Sequence, residues 1–247
     1  DVRFAEIDRS FVATYLFDPT ALVVTLGPDG LVINVAKYLN GQPILAFTPE
    51  PGKTGKILAS QAPAWAKAVV QKALRGQMQS RSMTMAEAKL NDGQRLVAAN
   101  DLFIGPKSHT SARYRIRSGK HEEEQSSSGI IVSTGVGSSG WYSSIMVGAY
   151  GMARDAEGAP PVDPASLRFP WDAEELRFSV REPFPSPVTK TSIVHGSVGP
   201  SNPLLLESLM PRDGVIFSDG IESDYLAFNA GAIATIGLCD RRAILLG

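Results

Sequence analysis

Residues 21–39, ALVVTLGPDGLVINVAKYL, decide the fold of the first part of this 247-residue chain. The run from Ala21 to Leu26 is continuously apolar and ends at the turn Gly27–Gly30, which is typical of a buried parallel strand. Apolar residues then recur at helical spacing up to Leu39, and PILAFT (Pro43–Thr48) has the character of a second strand. We therefore predict a strand-helix-strand crossover, with the turn at the sheet edge where parallel sheets bind ligands.

A second glycine-rich stretch, SSGIIVSTGVGSSGWYSSI, occupies residues 127–145. A strand that breaks into glycines and restarts as a helix leaves backbone N–H groups unpaired at the positive end of the helix, which suits a phosphate group. The first turn carries an acid, Asp29, between its glycines, whereas the second is rich in Ser and Thr. Together the two turns favour a bound nucleotide.

The predicted secondary structure changes after Gly76. A helix is predicted over Pro63–Arg75, and beyond it strand patterns dominate, including one continuous strand over Gln94–Gly105. We therefore predict two domains: a Rossmann-like α/β domain (residues 1–76) and a β-rich, β-sandwich-like domain (residues 77–247). The segment from Gly151 to Asp172 is expected to be a Pro-containing excursion, and the last residues are expected to pack back on the first domain.

Three polar segments have the chemistry of simple turns. The acidic run Glu122–Glu124 predicts a solvated turn, and Ser218–Gly220 predicts a tight turn because Asp and Gly tolerate the backbone angles that turns require. The sequence Pro28-Asp29-Gly30 would also form a good turn with no ligand.

Composition excludes several classes of protein. The formal net charge is −1, with 24 basic and 25 acidic residues interspersed, so no basic surface indicates a nucleic-acid partner. The longest apolar stretch, residues 225–238, is too short to span a membrane. The lone Cys239 cannot form an internal disulfide, which favours a reducing compartment and a buried structural thiol. Because the chain opens at Asp1 without an initiator Met, we expect that further residues precede it.

Gly135, Gly137 and Gly140 also match the GxGxxG fingerprint of dinucleotide-binding dehydrogenases. Asp155 lies at a plausible distance for the acid that binds a ribose hydroxyl, but it occurs in RDAEGAPPVDP rather than at the end of a strand. An NAD-dependent oxidoreductase is therefore kept as an alternative.

The order of GPDG (residues 27–30), ANDLFIG (residues 99–105) and the loop at residues 127–145 resembles the NAD kinase family. Members of that family have a GGDGT turn, an Asn-Glu pair about seventy residues later, and a Thr/Ser/Gly-rich loop of the TPTGSTAY type. The resemblance extends from Ala21 to the C-terminus. The loop spelling and REPF (Arg181–Phe184) are similar to the mitochondrial-type branch and its bacterial relatives.

This resemblance implies transfer of a phosphoryl group from ATP or polyphosphate, with Mg²⁺ accompanying ATP, to the 2′-hydroxyl of the adenosine ribose of NAD, which gives NADP. Asp29 matches the residue that takes the hydroxyl proton. The matched binding positions are Gly27 and Gly30 for phosphate approach, Asn100 and Asp101 for the ribose and nicotinamide side, and Thr134, Gly135, Gly137, Ser138, Ser139 and Ser144 for the adenosine and phosphate pocket. The resemblance further implies that residues 1–76 bind the donor nucleotide and that residues 77–247 bind NAD. It also implies a homodimer or homotetramer in the cytoplasm or, alternatively, in mitochondria.

The chain departs from the family pattern at both ends of the implied site. Pro28 removes a backbone donor from the first turn, and Leu31 replaces a threonine hydroxyl. Asp101 shortens the usual Glu, Ser128 replaces an acid, and Gly140-Trp141 stands where Ala-Tyr is usual. A diverged kinase or a non-catalytic nucleotide-binding relative is therefore a further alternative. Lipid kinases also have a GGDG turn, but they lack the second loop, which argues against a lipid kinase here.

Overall fold

The computed structural model describes residues 3–49, 58–158 and 160–247. The chain forms two compact units, which we call the small unit (Asp1–Met83 with Arg241–Gly247) and the large unit (Thr84–Asp240). The change from small to large unit falls at Met83, whereas the sequence places a domain boundary near Gly76.

Within the described residues the helices are α1 (Asp29–Ala36), α2 (Ala66–Leu74) and α3 (Trp141–Glu157). The strands are β1 (Val23–Leu26), β2 (Pro43–Phe47), β3 (Ser80–Leu90), β4 (Arg95–Ala98), β5 (Asp101–Pro106), β6 (Ala112–Ser118), β7 (His121–Ser127), β8 (Ile130–Ser133), β9 (Leu176–Val180), β10 (His195–Val198), β11 (Leu204–Ser208), β12 (Gly214–Ser218), β13 (Ile221–Ala227) and β14 (Ile233–Leu246). None of the helices in the described part of the chain has the length and apolar character needed to cross a membrane.

The small unit is built on the predicted crossover, which the structure confirms. Strand β1 runs parallel to β2, and α1 lies between them in sequence. The end of β14, Ile244–Leu246, runs parallel to β2 on its other side. Helix α1 buries five consecutive residues, Val32–Ala36, so its C-terminal half is enclosed on all sides, as is typical of a helix that is apolar around most of its circumference.

The large unit is a sandwich of two layers, and the strands within each layer pair in the antiparallel sense. One sheet has the order β10-β9-β8-β5-β12-β13, and the other arrangement contains β11 paired with β6 and with the first part of β14, while β6 also pairs with β7. Tyr114, Phe178 and Leu102 are fully buried in the core between them. Strands β5 and β8 are buried along their whole length, which accounts for the apolar runs Leu102–Ile104 and Ile130–Val132.

Helix α3 packs on the outer face of the first sheet. The Trp141 ring stacks on Phe103 of β5 with centroids 5.8 Å apart, and the Phe217 ring of β12 stacks on Phe103 at 4.8 Å. Stacked rings bury a large apolar area, so this cluster fixes the start of the helix against the sheet.

The structure corrects the predicted turn at Glu122–Glu124, which lies inside strand β7. Glu123 is buried, and its carboxylate accepts hydrogen bonds from the backbone N–H groups of Ser192 and Ile193 at 2.9 and 2.8 Å. The carboxylate of its neighbour Glu124 forms an ion pair with the guanidinium group of Arg115 on β6, with 2.8 Å between the nitrogen and the oxygen. Charged residues are compatible with a strand here because each has a partner on an adjacent segment.

Several helices and strands have other bounds than the sequence predicts. The predicted strand Gln94–Gly105 is broken into β4 and β5 at Ala99 and Asn100. Helix α3 extends to Glu157 and so includes the first residues of the predicted Pro-containing excursion, Gly151–Asp172. Strands β11 and β13 were not predicted. The predicted fold class, an α/β part followed by a β-rich part, is confirmed.

Candidate functional site

The GPDG turn of the small unit joins β1 to α1. The Gly27 N–H donates to the Phe47 carbonyl of β2 at 2.9 Å, so the turn begins at the edge of the parallel sheet. A Cβ atom on Gly27 would meet the Leu31 side chain at 2.7 Å, whereas a Cβ on Gly30 would enter open space. Close packing therefore explains the glycine at position 27 but not the one at position 30.

Asp29 is the first residue of α1 and is half-buried. One of its carboxylate oxygens accepts hydrogen bonds from the backbone N–H groups of Leu58 and Ala59 at 3.1 and 2.8 Å. A carboxylate at the first turn of a helix is also favoured by the helix dipole. The carboxylate is thus held in place at the end of β1, where the resemblance assigns the proton acceptor.

Pro28 and Leu31, the residues that depart from the GGDGT pattern, shape this turn. Pro28 precedes the helix with φ −71° and ψ 168°, a conformation that proline adopts without strain. Its carbonyl accepts the Leu31 N–H at 2.9 Å. Proline cannot donate a backbone hydrogen bond, so the turn offers a phosphate one donor fewer than a glycine would.

In the large unit, Asn100 and Asp101 form a corner between β4 and β5. The Asp219 carboxylate accepts the N–H groups of Ala99 and Asn100 at 3.1 and 2.7 Å, with Asp101 N–H at 3.3 Å. Thr134 contacts the opposite side: its N–H donates to the Asn100 carbonyl at 2.8 Å and its hydroxyl to the Ala99 carbonyl at 2.7 Å. The backbone of the corner is therefore fully hydrogen-bonded.

The side chains of this corner differ from its backbone. Asn100 is half-buried and Asp101 is only 7% exposed, yet no described residue hydrogen-bonds to the Asn100 amide or to the Asp101 carboxyl. Burial raises the pKa of Asp101 to about 7, with a further contribution from the negative charge of Asp219. An amide that can donate and accept, next to a carboxyl that titrates near neutrality, suits hydroxyl or carboxamide groups of a ligand.

Two glycines of the loop after β8 lie directly against neighbouring backbone: Gly137 against the corner and Gly135 against Pro170. A Cβ on Gly137 would lie 2.1 Å from the Asn100 carbonyl oxygen, and a Cβ on Gly135 would lie 1.9 Å from the Pro170 carbonyl oxygen. No other residue fits at either position without a backbone shift. The Thr134 hydroxyl also accepts the Gly137 N–H at 3.1 Å, which fixes the loop to the corner.

The serines of the same loop lie in different surroundings. Ser138 is buried, and its hydroxyl donates to the Gly135 carbonyl at 2.6 Å. Ser139 and Ser144 are exposed, with hydroxyls directed to the Val136 and Gly140 carbonyls, both at 3.3 Å. Ser139 and Ser144 are therefore the two predicted serines whose hydroxyls are open to solvent.

The topology excludes the dehydrogenase fingerprint at Gly135, Gly137 and Gly140. Strand β8, which leads into these glycines, is antiparallel to both of its neighbours, β5 and β9. The fingerprint requires a parallel βαβ unit with its acid at the end of the next strand. Asp155 instead lies on α3 with an exposed side chain. The prediction of a dehydrogenase fingerprint, on which the oxidoreductase alternative rested, is therefore wrong.

The sequence did not identify Asp219 as part of a site. The structure places it with Gly220 in the tight turn between β12 and β13, as predicted, with both residues at positive φ. Its carboxylate nonetheless contacts a segment about 120 positions earlier in the chain. An Asp-Gly pair is so common in turns that the sequence alone carried no signal of this second role.

Among the described residues, no three His, Cys, Asp or Glu side chains come together as a metal site would require. Asp29 is the carboxylate at the GPDG turn. Mg²⁺ is commonly bound by one or two carboxylates together with substrate phosphates and water, so a single aspartate fits an ion that arrives with a nucleotide.

No protein-family model and no curated protein sequence matches this chain. Solved structures do. The crystal structure of a yeast NADH kinase in complex with NADH superposes with a TM-score of 0.66 at 17% identity, covering 92% of this chain and 62% of that one. An NAD kinase from Archaeoglobus fulgidus in complex with ATP superposes with a TM-score of 0.62 at 17% identity, covering 92% and 77%.

This chain has the NAD kinase fold. The match covers nearly all of its residues, although the chain spans less than two thirds of the yeast enzyme. At 17% identity the likeness establishes the architecture, and a function has to be argued from the residues of this chain.

Proposed function

We propose that this protein is a kinase of nicotinamide dinucleotides, which transfers a phosphoryl group from ATP or polyphosphate to the 2′-hydroxyl of the adenosine ribose of NAD or NADH. The observation that carries the proposal is the corner at Asn100 and Asp101. Its backbone is fully hydrogen-bonded, while the side-chain amide and carboxyl have no partner among the described residues. The known structures with the same fold include one in complex with NADH and one in complex with ATP.

The large unit supplies the features expected of an acceptor-binding surface. Burying a carboxyl without a hydrogen bond costs about 1–3 kcal/mol, and a ligand that bonds to it recovers part of that cost. A dinucleotide offers ribose hydroxyls and a carboxamide, which match the donors and acceptors of Asn100 and Asp101. Ser139 and Ser144 add two exposed hydroxyls on the loop that packs against this corner.

The small unit supplies the features expected for the phosphoryl donor. Phosphoryl transfer asks a protein for positioning, charge neutralisation and a base within hydrogen-bond reach of the attacking hydroxyl. Asp29 is the candidate base, held by Leu58 and Ala59 at the start of α1. When bound with the donor, Mg²⁺ would neutralise negative charge on its phosphates, with ligands supplied mainly by those phosphates and water, and Asp29 would serve as the base.

A second candidate is a nucleotide-binding protein without kinase activity. The observation that favours it is the turn itself, in which Pro28 lacks an N–H donor and Leu31 lacks a hydroxyl. Both losses affect donor phosphates, whereas the corner at Asn100 and Asp101 would still bind a dinucleotide.

The decisive experiment combines catalysis with binding. Purified protein is incubated with NAD or NADH, Mg²⁺ and either ATP or polyphosphate, and the formation of NADP or NADPH is measured. In parallel, NAD and NADH are titrated by calorimetry without a donor. Product formation supports the kinase. Binding without product supports the non-catalytic candidate, and the absence of both overturns the proposal.

A further inference from the structure

Asp219 occupies an unusual position in the large unit. It follows β12, where the pairing with β13 shifts register after Phe217, and its backbone has φ 56°. A residue other than glycine at positive φ is uncommon, although Asp tolerates it better than most. The bulge and the turn together direct the chain back toward the start of β5.

The contacts of Asp219 hold one corner of the chain through several bonds at once. Its N–H donates to the Asp101 carbonyl at 3.0 Å, and its carboxylate accepts the three successive N–H groups of Ala99, Asn100 and Asp101. A carboxylate can accept several such bonds because it has two oxygens, and bonds to an ionised group are stronger than neutral ones.

The opposite side of the corner is fixed independently of Asp219. Thr134 binds the Ala99 and Asn100 carbonyls, and Gly137 packs directly on the Asn100 carbonyl oxygen. The N–H side, by contrast, depends on the Asp219 carboxylate. Loss of that carboxylate would leave the N–H groups unpaired and let the corner rotate about its Thr134 contacts.

We propose that Asp219 is a positioning residue for dinucleotide binding, which sets the direction of the Asn100 and Asp101 side chains by holding their N–H groups. The inference rests on the proposed function, because the dinucleotide is what those two side chains are proposed to bind. Asp219 acts through the corner and need not contact the ligand itself.

The charge of Asp219 adds a signature that a purely structural turn residue would not give. It helps to raise the pKa of Asp101 to about 7, after the larger effect of burial. Asp219, from the turn after β12, is the charged group that acts on Asp101; across the sheet, the residue of β8 opposite Asp101 is the uncharged Ser133. Removing the Asp219 charge therefore lowers the pKa of Asp101.

The test measures NAD and NADH affinity of the wild type, Asp219→Asn and Asp219→Glu across pH. Asp219→Asn removes the charge and one acceptor, so we expect the dinucleotide Kd to rise roughly tenfold to a hundredfold and the midpoint of its pH dependence, which the pKa of Asp101 would set, to move to lower pH. Asp219→Glu keeps the charge but moves the oxygens by one methylene. We expect a raised Kd with the midpoint unchanged.

Asp213→Asn is the matched control. Asp213 is also an aspartate at positive φ, 58°, in a turn next to β12, but its carboxylate contacts Arg212 at 4.0 Å rather than the corner. This variant is expected to bind as the wild type does. If Asp219→Asn does not fold, Asp219→Glu still decides, because a turn residue with no positioning role would leave its Kd unchanged.

The outcomes separate the two proposals. If the wild type binds a dinucleotide and the folded Asp219 variants bind it with the same Kd, the positioning role is overturned and the proposed function stands. Failure of the wild type to bind either dinucleotide overturns the proposed function, and with it this inference.

Discussion

At the scale of single residues, three aspartates of this chain have different surroundings. Asp29 accepts two backbone N–H groups and Asp219 accepts three, whereas the buried Asp101 carboxyl has no hydrogen bond from a described residue. Asp219 uses both of its oxygens to hold N–H groups, the two N–H groups at Asp29 contact the same oxygen, and the Asp101 carboxyl is the group that we propose to contact a ligand. We thus propose that the same kind of side chain positions the backbone at one site and binds a ligand at another.

Asp29→Asn is expected to lower turnover by about a hundredfold or more, because loss of a general base typically costs about 10²–10⁴ in rate. The Asn oxygen can still accept the Leu58 and Ala59 N–H groups, so the fold and dinucleotide affinity should persist. Steady-state kinetics and calorimetry measure the two effects. Asp18→Asn, where the carboxylate also accepts a backbone N–H, is the control. Undiminished turnover in Asp29→Asn would remove Asp29 from the mechanism.

Asn100→Ala is expected to weaken NAD binding by about 1–3 kcal/mol, the cost of leaving a buried ligand group unpaired. Its backbone bonds to Asp219 and Thr134 do not involve the side chain, so the corner should keep its shape. Titration with NAD measures the change, and Asn202→Ala, at an exposed position, is the control. Equal affinity in the wild type and Asn100→Ala would place the dinucleotide elsewhere.

At the scale of elements, the GPDG turn and α1 form one unit of structure in which Pro28 and Leu31 depart from the family pattern. The double variant Pro28→Gly with Leu31→Thr restores an N–H donor and a hydroxyl. We expect a lower KM for the phosphoryl donor and an unchanged NAD affinity, since the acceptor is proposed to bind at Asn100.

The competing expectation for the same double variant is a purely structural role of proline. Pro28 already has the backbone angle that its ring prefers, so glycine would add flexibility to the unfolded chain and reduce stability by about 0.4–1 kcal/mol. Donor kinetics and thermal melting are measured on one preparation. A lower Tm with an unaltered donor KM would show that donor phosphates do not contact this turn.

The glycines of the large unit give a matched pair of tests. Gly137→Ala should destabilise the protein by about 1–3 kcal/mol, because its Cβ would lie 2.1 Å from the Asn100 carbonyl oxygen. Gly148→Ala on α3 adds a Cβ in open space and should stabilise by about 0.5–1 kcal/mol, since alanine is the better helix former. Denaturant titration measures both. A neutral Gly137→Ala would mean that the loop and the corner are not tightly packed.

At the scale of the whole molecule, Asp101 links stability to pH. Its pKa is raised from 3.8 to about 7 in the folded protein, so between these values the unfolded chain is ionised while the folded protein keeps the proton. Stability contributed by the neutral carboxyl is complete below about pH 4 and is lost as the pH rises through 7.

Asp101→Asn should remove this loss, so the free energy of unfolding should fall less steeply between pH 4 and 7 in the variant than in the wild type. Denaturant titrations at several pH values measure the slope. Asp155→Asn, on the exposed part of α3, is the control and should keep the wild-type slope. Equal slopes in Asp101→Asn and the wild type would show that Asp101 is ionised in the folded protein throughout this range.

Features that depend on local patterns could be predicted from the amino-acid order alone. The crossover around Gly27–Gly30 follows from an apolar run, a turn and a helical repeat, and the structure confirms it. The buried Cys239 follows from its apolar neighbours and is confirmed as well. The order of three short motifs was enough to indicate the fold that the solved structures share.

Features that depend on contacts between distant segments became visible in the folded chain. The acidic run at Glu122–Glu124 forms a strand because Arg115 and the backbone at residues 192–193 supply partners that its own sequence does not contain. The GxGxxG match is not a dinucleotide-binding fingerprint, because β8 is antiparallel to both of its neighbours. Asp219 has the local chemistry of a turn, and its bonds to the Asn100 corner exist because β12 and β5 are neighbours in the sheet. Local patterns fix local geometry, but strand order brings such residues together.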